Sequence, residues 1–461
     1  MLASRFLRAC VIGLISYFGV LSASSVALTD EEIRKYSRNL IFSAGVVRDE
    51  ALEKLAEHGD PEIAAVLILG MRYLRPDEPI AEVFQKVTGS DAKDWFEAML
   101  WQERNPQVKA HPSFRDIKIS AFASIDQDFL RFLSADTTDP NRMDIRLEEI
   151  TWGGVHVDGI PSLDNPDLLT PDEATYLLDD DLVFGVSING DTRAYPLRIM
   201  GWHEMFNEVI GGVPVALAYC TLCGSGILFE TDVEGQADPF VFGSSGFLYR
   251  SNKLMFDRQT NSLWNQFTGE PVVGPLRGSG IKLKIRPVVI TTWVKWRTEN
   301  PSTKVLSIRT GHKRDYGSGV VYQDYFSSPD LMFPTSSNES KGILKKDYVF
   351  GIRATGASKA WPLEAFDGYQ VLNDTLSGND LVLIGDQASR TVRAYDVSGQ
   401  TFTKIEGSQG EIAGPGGRWS VTEDGLMGPE GERLPRVAGH IAYWFAWDGY
   451  MGVASELYSA N

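Results

Sequence analysis

The sequence has few cysteines, few histidines and a deficit of positive charge. Its 461 residues include three Cys and six His, and 61 acidic residues outweigh 44 basic ones, for a net charge of −17. Three cysteines cannot build the disulfide framework of a small secreted scaffold. A surface of this sign repels a phosphate backbone, and no basic run compensates for it, so we predict no nucleic-acid partner.

The first 27 residues have the features of a signal peptide. Arg5 and Arg8 precede an apolar stretch at residues 9–21, and the small residues Ser25 and Ala27 mark a cleavage site. We therefore predict a periplasmic or secreted protein. No later run reaches the roughly 18 apolar residues of a membrane span, so we predict no stable span after cleavage.

Cleavage would leave two cysteines, Cys220 and Cys223, in a C-x-x-C spacing. In an oxidising compartment, exposed thiols tend to be oxidised or bound to metal. The pair is therefore inert, redox-active or metal-ligating.

The pattern of apolar and turn-forming residues divides the chain into a helical and a β-rich part. Residues 28–111 have helical spacing of apolar residues, and we predict a small all-helical domain that could dock a protein partner. After a lead-in segment at 112–181, short apolar runs alternate with Gly, Asn and Pro. The predicted class is α+β.

An internal repeat divides the β-rich part into two modules. LVFGVSINGDTRAYPL (182–197) aligns without a gap to YVFGIRATGASKAWPL (348–363), and the offset of 166 persists to residues 230 and 396. We predict two tandem β-rich modules, a first at 182–347 and a second, degenerate one at 348–461. Each should contain a hairpin, a helix after its proline and a buried strand.

Three side chains of the first module are predicted to converge. The helix after Pro196 would carry one inward stripe, made of Ile199, His203, Phe206 and Ile210. The apolar strand at 213–219 would deliver Cys220, and a turn would return Cys223 within about 4 Å of it. His203, Cys220 and Cys223 then predict a metal site with an open position, with copper favoured over zinc because thiolates are soft ligands.

The second module lacks this set. Its matching positions hold Tyr369, Asp386 and Ser389, whereas the surrounding scaffold residues are kept. If the three candidates served packing alone, there would be no reason for them to be lost together.

Other candidates are weaker. Glu204 could act as a general base toward a metal-bound water, but on a helix it would point about 100° away from His203, which favours a surface position. Met255 and His156 could be additional ligands. The sequence does not name a substrate and does not decide between an enzyme and a carrier.

Two other functions stay open. The C-x-x-C could form a thiol–disulfide couple, although a strand rather than a helix follows it, so the helix dipole that activates such thiols would be missing. The chain could also be a non-catalytic ligand-binding module, since its 11 Trp, 16 Tyr and 23 Phe could line a groove.

Four segments carry a family resemblance: WGGVxxDGIPxL, HExxNxxxGxxVxxxYCxLCGS, FGxSGxLYxSNxLMxDxxTxSLW and WxxxxPxTKVLSxxTGxxRDY. With them the chain resembles the bacterial domain-of-unknown-function family numbered 3179. Thr221 stands where the family usually has proline. The resemblance implies no reaction, but it favours His203, Cys220 and Cys223 as the functional residues.

Overall fold

The computed structural model describes residues 27–134, 136, 143–337, 342–452 and 454–459. The predicted signal peptide therefore lies, apart from Ala27, outside the described residues. In the part of the chain that is described, no helix combines the length and apolarity needed to cross a bilayer.

The described chain begins with a bundle of helices. They are α1 (Asp30–Phe42), α2 (Val46–His58), α3 (Ala64–Tyr73), α4 (Glu78–Thr88), α5 (Trp95–Arg104) and α6 (Ser113–Ile125). Thr29 caps α1 in a reciprocal capping box with Glu32, because each side chain binds the other's backbone N–H.

The helical part extends further than predicted. We expected it to end at residue 111, but α6 runs to Ile125. Phe114 and Ile117 of α6 pack into the helical core, whereas Phe122 packs into the adjoining β-rich core. The start of the predicted lead-in segment is thus a helix that joins the two parts.

The first half of the β-rich part forms three sheets. Its strands are β1 (Ile150–Trp152), β2 (Leu163–Asp164), β3 (Leu168–Leu169), β4 (Leu182–Ile188), β5 (Asp191–Pro196), β6 (Met205–Ile210), β7 (Val213–Cys220), β8 (Ser225–Glu230), β9 (Phe242–Tyr249), β10 (Asn252–Asp257), β11 (Leu263–Asn265), β12 (Glu270–Val273), β13 (Ile285–Arg286), β14 (Val289–Thr292) and β15 (Lys304–Leu306). The strand orders are β1-β9-β10-β11-β12, β13-β8-β7-β6-β2 and β14-β4-β5-β15-β3. Three short helices accompany them, α7 (Leu197–His203), α8 (Trp293–Glu299) and α9 (Gln323–Ser327).

The second half forms two further sheets and ends with a helix. Its elements are β16 (Tyr348–Ala354), β17 (Ala357–Pro362), β18 (Gln370–Leu376), β19 (Asn379–Asp386), β20 (Thr391–Asp396), β21 (Thr403–Lys404), β22 (Glu411–Gly414), β23 (Gly417–Val421), β24 (Gly425–Met427), β25 (Arg433–Val437), β26 (His440–Tyr443), α10 (Trp444–Met451) and β27 (Glu456–Leu457). The strand orders are β26-β16-β17-β27 and β18-β19-β20-β25-β24-β23-β22-β21. One core cluster takes side chains from both halves, including Leu217, Leu228, Phe350, Trp361 and Leu383.

The two halves pair their strands in the same register. In the first, β4 pairs with β5 from Val183↔Pro196 onward, and β16 pairs with β17 from Val349↔Pro362. The next hairpins match as well, with Ile210↔Val213 in one half and Leu376↔Asn379 in the other. Every one of these positions is related by 166 residues, as the sequence alignment requires.

The same side-chain contacts recur beside these hairpins. The Asn207 amide binds both the backbone N–H and the carbonyl of Phe242, at 2.9 Å each. The Asn373 amide, 166 residues later, binds Phe402 in the same way, at 2.8 and 2.9 Å. The aligned asparagines therefore have the same task in both halves.

One helix prediction is wrong. We expected the helix after Pro196 to continue through Phe206 and Ile210, but α7 ends at His203. Glu204 follows in a left-handed conformation (φ 54°), and the chain then enters β6. The two glycines after Ile210, both with positive φ, close a hairpin to β7, which explains the strand.

A glycine–tryptophan contact tests the packing of the hairpin sheet. A Cβ atom at Gly185 would lie 2.3 Å from the Trp296 ring. We expect Gly185→Ala to lower the free energy of unfolding by about 1–3 kcal/mol, because the indole has no space to retreat. Urea denaturation measures this. Gly410→Ala is the control, since a Cβ there meets nothing within 4 Å and should change stability little; equal stability of both variants would contradict the prediction.

Candidate functional site

Cys220 and Cys223 lie at the tip of the hairpin formed by β7 and β8. β7 ends at Cys220, which pairs with Ser225 at the start of β8. The intervening turn is closed by the Cys223 N–H, which donates to the Cys220 carbonyl at 3.2 Å, and by Gly224 with φ 59°. The two Sγ atoms are 3.0 Å apart and both are free thiols. The predicted approach of the sulfurs is confirmed.

The turn is buried by residues from much later in the chain. Cys220 is 2% exposed and Cys223 is inaccessible. The Tyr443 N–H donates to the Cys223 carbonyl at 2.8 Å, and the Tyr325 hydroxyl donates to the Leu222 carbonyl at 2.7 Å. The carbonyls of the buried turn thus have partners from the β26 end and from α9.

The Cys223 sulfur has three polar neighbours. The Asn252 Nδ2 donates to it at 3.2 Å, the Cys220 thiol lies at 3.0 Å, and the Ser251 carbonyl is 3.5 Å away. Burial raises the pKa of the Cys223 thiol well above its usual range, and the neighbouring Cys220 thiol adds to this, whereas the hydrogen bond from Asn252 lowers it. Cys223 is therefore protonated at neutral pH.

A buried ion pair stands beside the turn. Glu204 was expected on the surface, and this is wrong, since the residue is 6% exposed. Its carboxylate lies 3.1 Å from the Lys253 Nζ and accepts a hydrogen bond from the Thr221 hydroxyl at 2.9 Å. Thr221 is the first residue after Cys220, so the ion pair is anchored to the thiol turn itself.

His203 is not brought onto the thiols. Its Nδ1 lies 2.9 Å from the Pro161 carbonyl, and its Nε2 lies 2.6 Å from the Tyr316 hydroxyl. A carbonyl can only accept, so Nδ1 carries the proton and Nε2 accepts from Tyr316. Burial lowers the pKa of His203 to about 4, which keeps the ring neutral.

The expected three-ligand arrangement is therefore not formed. Both ring nitrogens of His203 are engaged elsewhere, and among the residues the structure describes no group of three or more His, Cys, Asp and Glu side chains is placed to hold a metal ion. The cause is the position at which α7 ends. The left-handed backbone at Glu204 directs the side chains of His203 and Glu204 into different surroundings. Only Glu204 reaches the thiol turn.

A hydrogen-bonded relay that sequence reasoning missed leads from His203 toward the surface. The Tyr316 hydroxyl donates a hydrogen bond to the His203 Nε2 and accepts one from the Thr310 hydroxyl at 2.6 Å. The His312 ring lies 5.2 Å from that of His203. The signal was present, since the motif run 296–316 contains TGxxRDY.

The two additional ligand candidates are placed differently. Met255 is fully buried in the apolar cluster that also contains both thiols. His156 is exposed, and its Nδ1 lies 3.3 Å from the Asp126 carboxylate. His156 therefore contacts Asp126 and lies apart from the thiols.

These motif segments lie in a region that matches one family model. The model, described as "Protein of unknown function (DUF3179)", matches residues 157–453. The chain belongs to this family. No curated protein and no solved structure matches the chain.

The second half of this DUF3179 chain builds the same turn without sulfur. β19 ends at Asp386, which pairs with Thr391 at the start of β20. The Ser389 hydroxyl donates to the Asp386 carboxylate at 2.6 Å, at the positions that match the two thiols. Arg390 has φ 53°, as Gly224 has φ 59° in the first turn. The turn therefore does not require cysteine.

The buried ion pair gives a stability prediction. Lys253→Met leaves the Glu204 carboxylate buried without its cation, and we expect the free energy of unfolding to fall by about 3–5 kcal/mol. The double variant Glu204→Gln, Lys253→Met removes both charges and should be more stable than Lys253→Met alone. Urea denaturation of the three proteins measures this; a double variant weaker than the single one would contradict it.

His203 gives a prediction of pH dependence. Its pKa is about 4 when folded, against 6.5 for the free side chain, so the unfolded chain binds a proton that the folded chain does not. The stability contributed by neutral His203 is full above the unfolded pKa and is lost as the pH falls toward 4. We expect the stability difference between wild type and His203→Gln to shrink by roughly 3 kcal/mol over this range. A difference independent of pH in urea unfolding would be contrary to this.

Proposed function

We propose that this protein is an exported thiol–disulfide redox protein in which Cys220 and Cys223 alternate between a dithiol and an internal disulfide. The observation that carries the proposal is the 3.0 Å between the two sulfurs in a four-residue turn. A disulfide bond of about 2.05 Å needs an approach of only roughly 1 Å. The backbone of the turn can therefore serve both states.

The second copy of the turn supports a chemical role for the sulfurs. Asp386 and Ser389 close that turn with an ordinary hydrogen bond. Because the fold is satisfied by this oxygen pair, the two cysteines of the first copy are more than a structural necessity. This is the pattern of a site placed on a duplicated scaffold.

The exchange partner that fits the burial of the pair is a small disulfide or thiol. One cysteine, as thiolate, attacks the small disulfide and releases one thiol, and the second cysteine then attacks the mixed disulfide and releases the other. Two electrons pass to the partner, whose S–S bond is replaced by two S–H bonds. We assign the first attack to Cys220, because this residue is 2% exposed and Cys223 is inaccessible.

The predicted signal peptide supports this function. An exported protein meets an oxidising environment, in which a C-x-x-C pair exchanges with disulfides rather than staying reduced. Export itself remains a prediction.

Copper or zinc binding remains a prediction as well. The two thiols could bind either ion, but His203 supplies no third ligand in the arrangement described above. The ligand-binding module also stays untested. Neither alternative has a geometric observation comparable with the sulfur pair.

An intact-mass experiment tests the proposal. Treatment of the reduced protein with oxidised glutathione should remove the mass of two hydrogen atoms from the wild type. Cys220→Ser and Cys223→Ser should each instead stay reduced or carry one glutathione, since neither can close the bond. Elemental analysis of the same samples measures copper and zinc.

Two results would contradict the proposal. A wild type that shows no mass loss while unfolding reversibly would mean that the thiols are inert. Stoichiometric metal that is lost in both serine variants and in His203→Ala would favour the metal site instead.

A further inference from the structure

Two amide side chains lie inside the apolar cluster around the thiols. Asn252 and Gln266 are both completely buried. They come from neighbouring strands, because β10 begins with Asn252 and β11 ends one residue before Gln266, and these strands pair antiparallel. Their hydrogen bonds follow one another in series and end at the Cys223 sulfur.

This series of hydrogen bonds starts at the backbone of the hairpin formed by β7 and β8. The Gln266 Nε2 donates to the carbonyls of Ala218 and Ser225, at 2.8 and 3.3 Å. Carbonyls only accept, so the amide of Gln266 must point its nitrogen there and its oxygen the other way. That oxygen accepts from the Asn252 Nδ2 at 2.8 Å.

The orientation of Asn252 follows from that of Gln266. Since its nitrogen must face the Gln266 oxygen, the remaining N–H of the same nitrogen points to the Cys223 Sγ at 3.2 Å. A flipped amide would place two oxygens against each other. The donor on the sulfur is thus fixed by two backbone carbonyls through Gln266.

A donor at this place favours negative charge on the sulfur. A hydrogen bond to the charged form of a group is stronger than one to its neutral form. The other two polar neighbours do not favour this charge, because the Cys220 thiol at 3.0 Å raises the pKa of Cys223 and the Ser251 carbonyl at 3.5 Å can only accept a hydrogen bond. Asn252 is therefore the one of the three polar neighbours whose hydrogen bond favours the anion.

The same asparagine is a poor choice for stability alone. Its Oδ1 is buried without a hydrogen-bond partner. A buried unpaired carbonyl oxygen is destabilising, and an apolar side chain of the same size would avoid this. The amide is therefore better explained by what its nitrogen does.

We infer that Asn252 is the hydrogen-bond donor that stabilises the anionic form of the Cys223 sulfur, and that Gln266 is its positioning residue. The inference rests on the proposed function, in which this sulfur becomes an anion when the disulfide opens. Burial destabilises the Cys223 thiolate, and the hydrogen bond from Asn252 offsets part of this destabilisation.

The test measures how the reactivity of Cys223 depends on pH. In a Cys220→Ser background, alkylation of Cys223 by iodoacetamide is followed on the full chain by peptide mass spectrometry. Asn252→Leu keeps the size of the side chain and removes the donor. We expect the pH midpoint of alkylation to rise by about one unit, and the rate below the midpoint to fall about tenfold.

Gln266 is tested by a double-mutant cycle. Gln266→Leu should shift the midpoint in the same direction. The double variant should show the shift of Asn252→Leu and no more, because Gln266 acts through Asn252. Shifts that add in the double variant would overturn the positioning role of Gln266.

Asn207→Leu is the matched control. It removes another buried amide, 7% exposed, that binds the backbone of Phe242 rather than sulfur. It should destabilise the protein in urea but leave the midpoint unchanged. If Asn252→Leu leaves the midpoint unchanged, or if Asn207→Leu shifts it equally, the inference is wrong.

Failure of this inference can be told from failure of the proposed function. The pH midpoint is a property of one thiol and requires no disulfide to form. A shifted midpoint in a protein that forms no internal disulfide would refute the redox function and leave the donor role. An internal disulfide with an unshifted midpoint would do the reverse.

Discussion

The architecture around the thiols depends on the burial of one turn, residues 220–224, between the two halves of the β-rich part. A buried turn must find partners for its backbone groups, and here they come from Tyr443 and Tyr325. Gly224 is required, because a Cβ there would lie 2.9 Å from the Tyr348 ring in addition to having positive φ. The same contacts exclude water from the sulfurs, and this burial raises the pKa of Cys223. They also allow only small molecules to reach the sulfurs.

The two halves of the β-rich part are alike in their hairpins and differ in their turns. The hairpin registers and the asparagine contacts recur at the same offset in both halves, while the turn tips differ. Tyr348 touches both tips, since its ring packs on Gly224 and its hydroxyl accepts a hydrogen bond from Arg390 at 3.0 Å. The second half thus helps to enclose the thiol turn of the first. A single copy would lack these contacts with the turn.

Local features of the site were predictable from the sequence, and long-range ones were not. The apolar run of β7 and the glycine after Cys223 indicated a strand and a tight return, and both are present. The apolar spacing from His203 to Ile210 fits either a helix or a strand, so the helix predicted from it was wrong. The two glycines after Ile210 indicated a hairpin turn instead. The Glu204–Lys253 pair joins positions 49 residues apart. A single sequence gives no signal for such a contact.

For His203, too, the local feature was predictable from the sequence and the long-range contacts were not. Its burial was predicted correctly, but its neighbours depend on where α7 ends, and this is set by the left-handed backbone of one residue. The histidine and the thiols consequently belong to two polar clusters joined by the peptide between His203 and Glu204. The relay through Tyr316 and Thr310 serves the first cluster.

The proposed function requires the two thiols to be a reversible two-electron couple. Its most direct test is equilibration of the protein with dithiothreitol buffers of stepped redox potential, followed by acid trapping and alkylation of free thiols. We expect Cys220 and Cys223 to lose their alkylation together along one two-electron curve, reached equally from the reduced and the oxidised side. Thiols that stay alkylated at every potential, or that become protected only when copper or zinc is added, would contradict it.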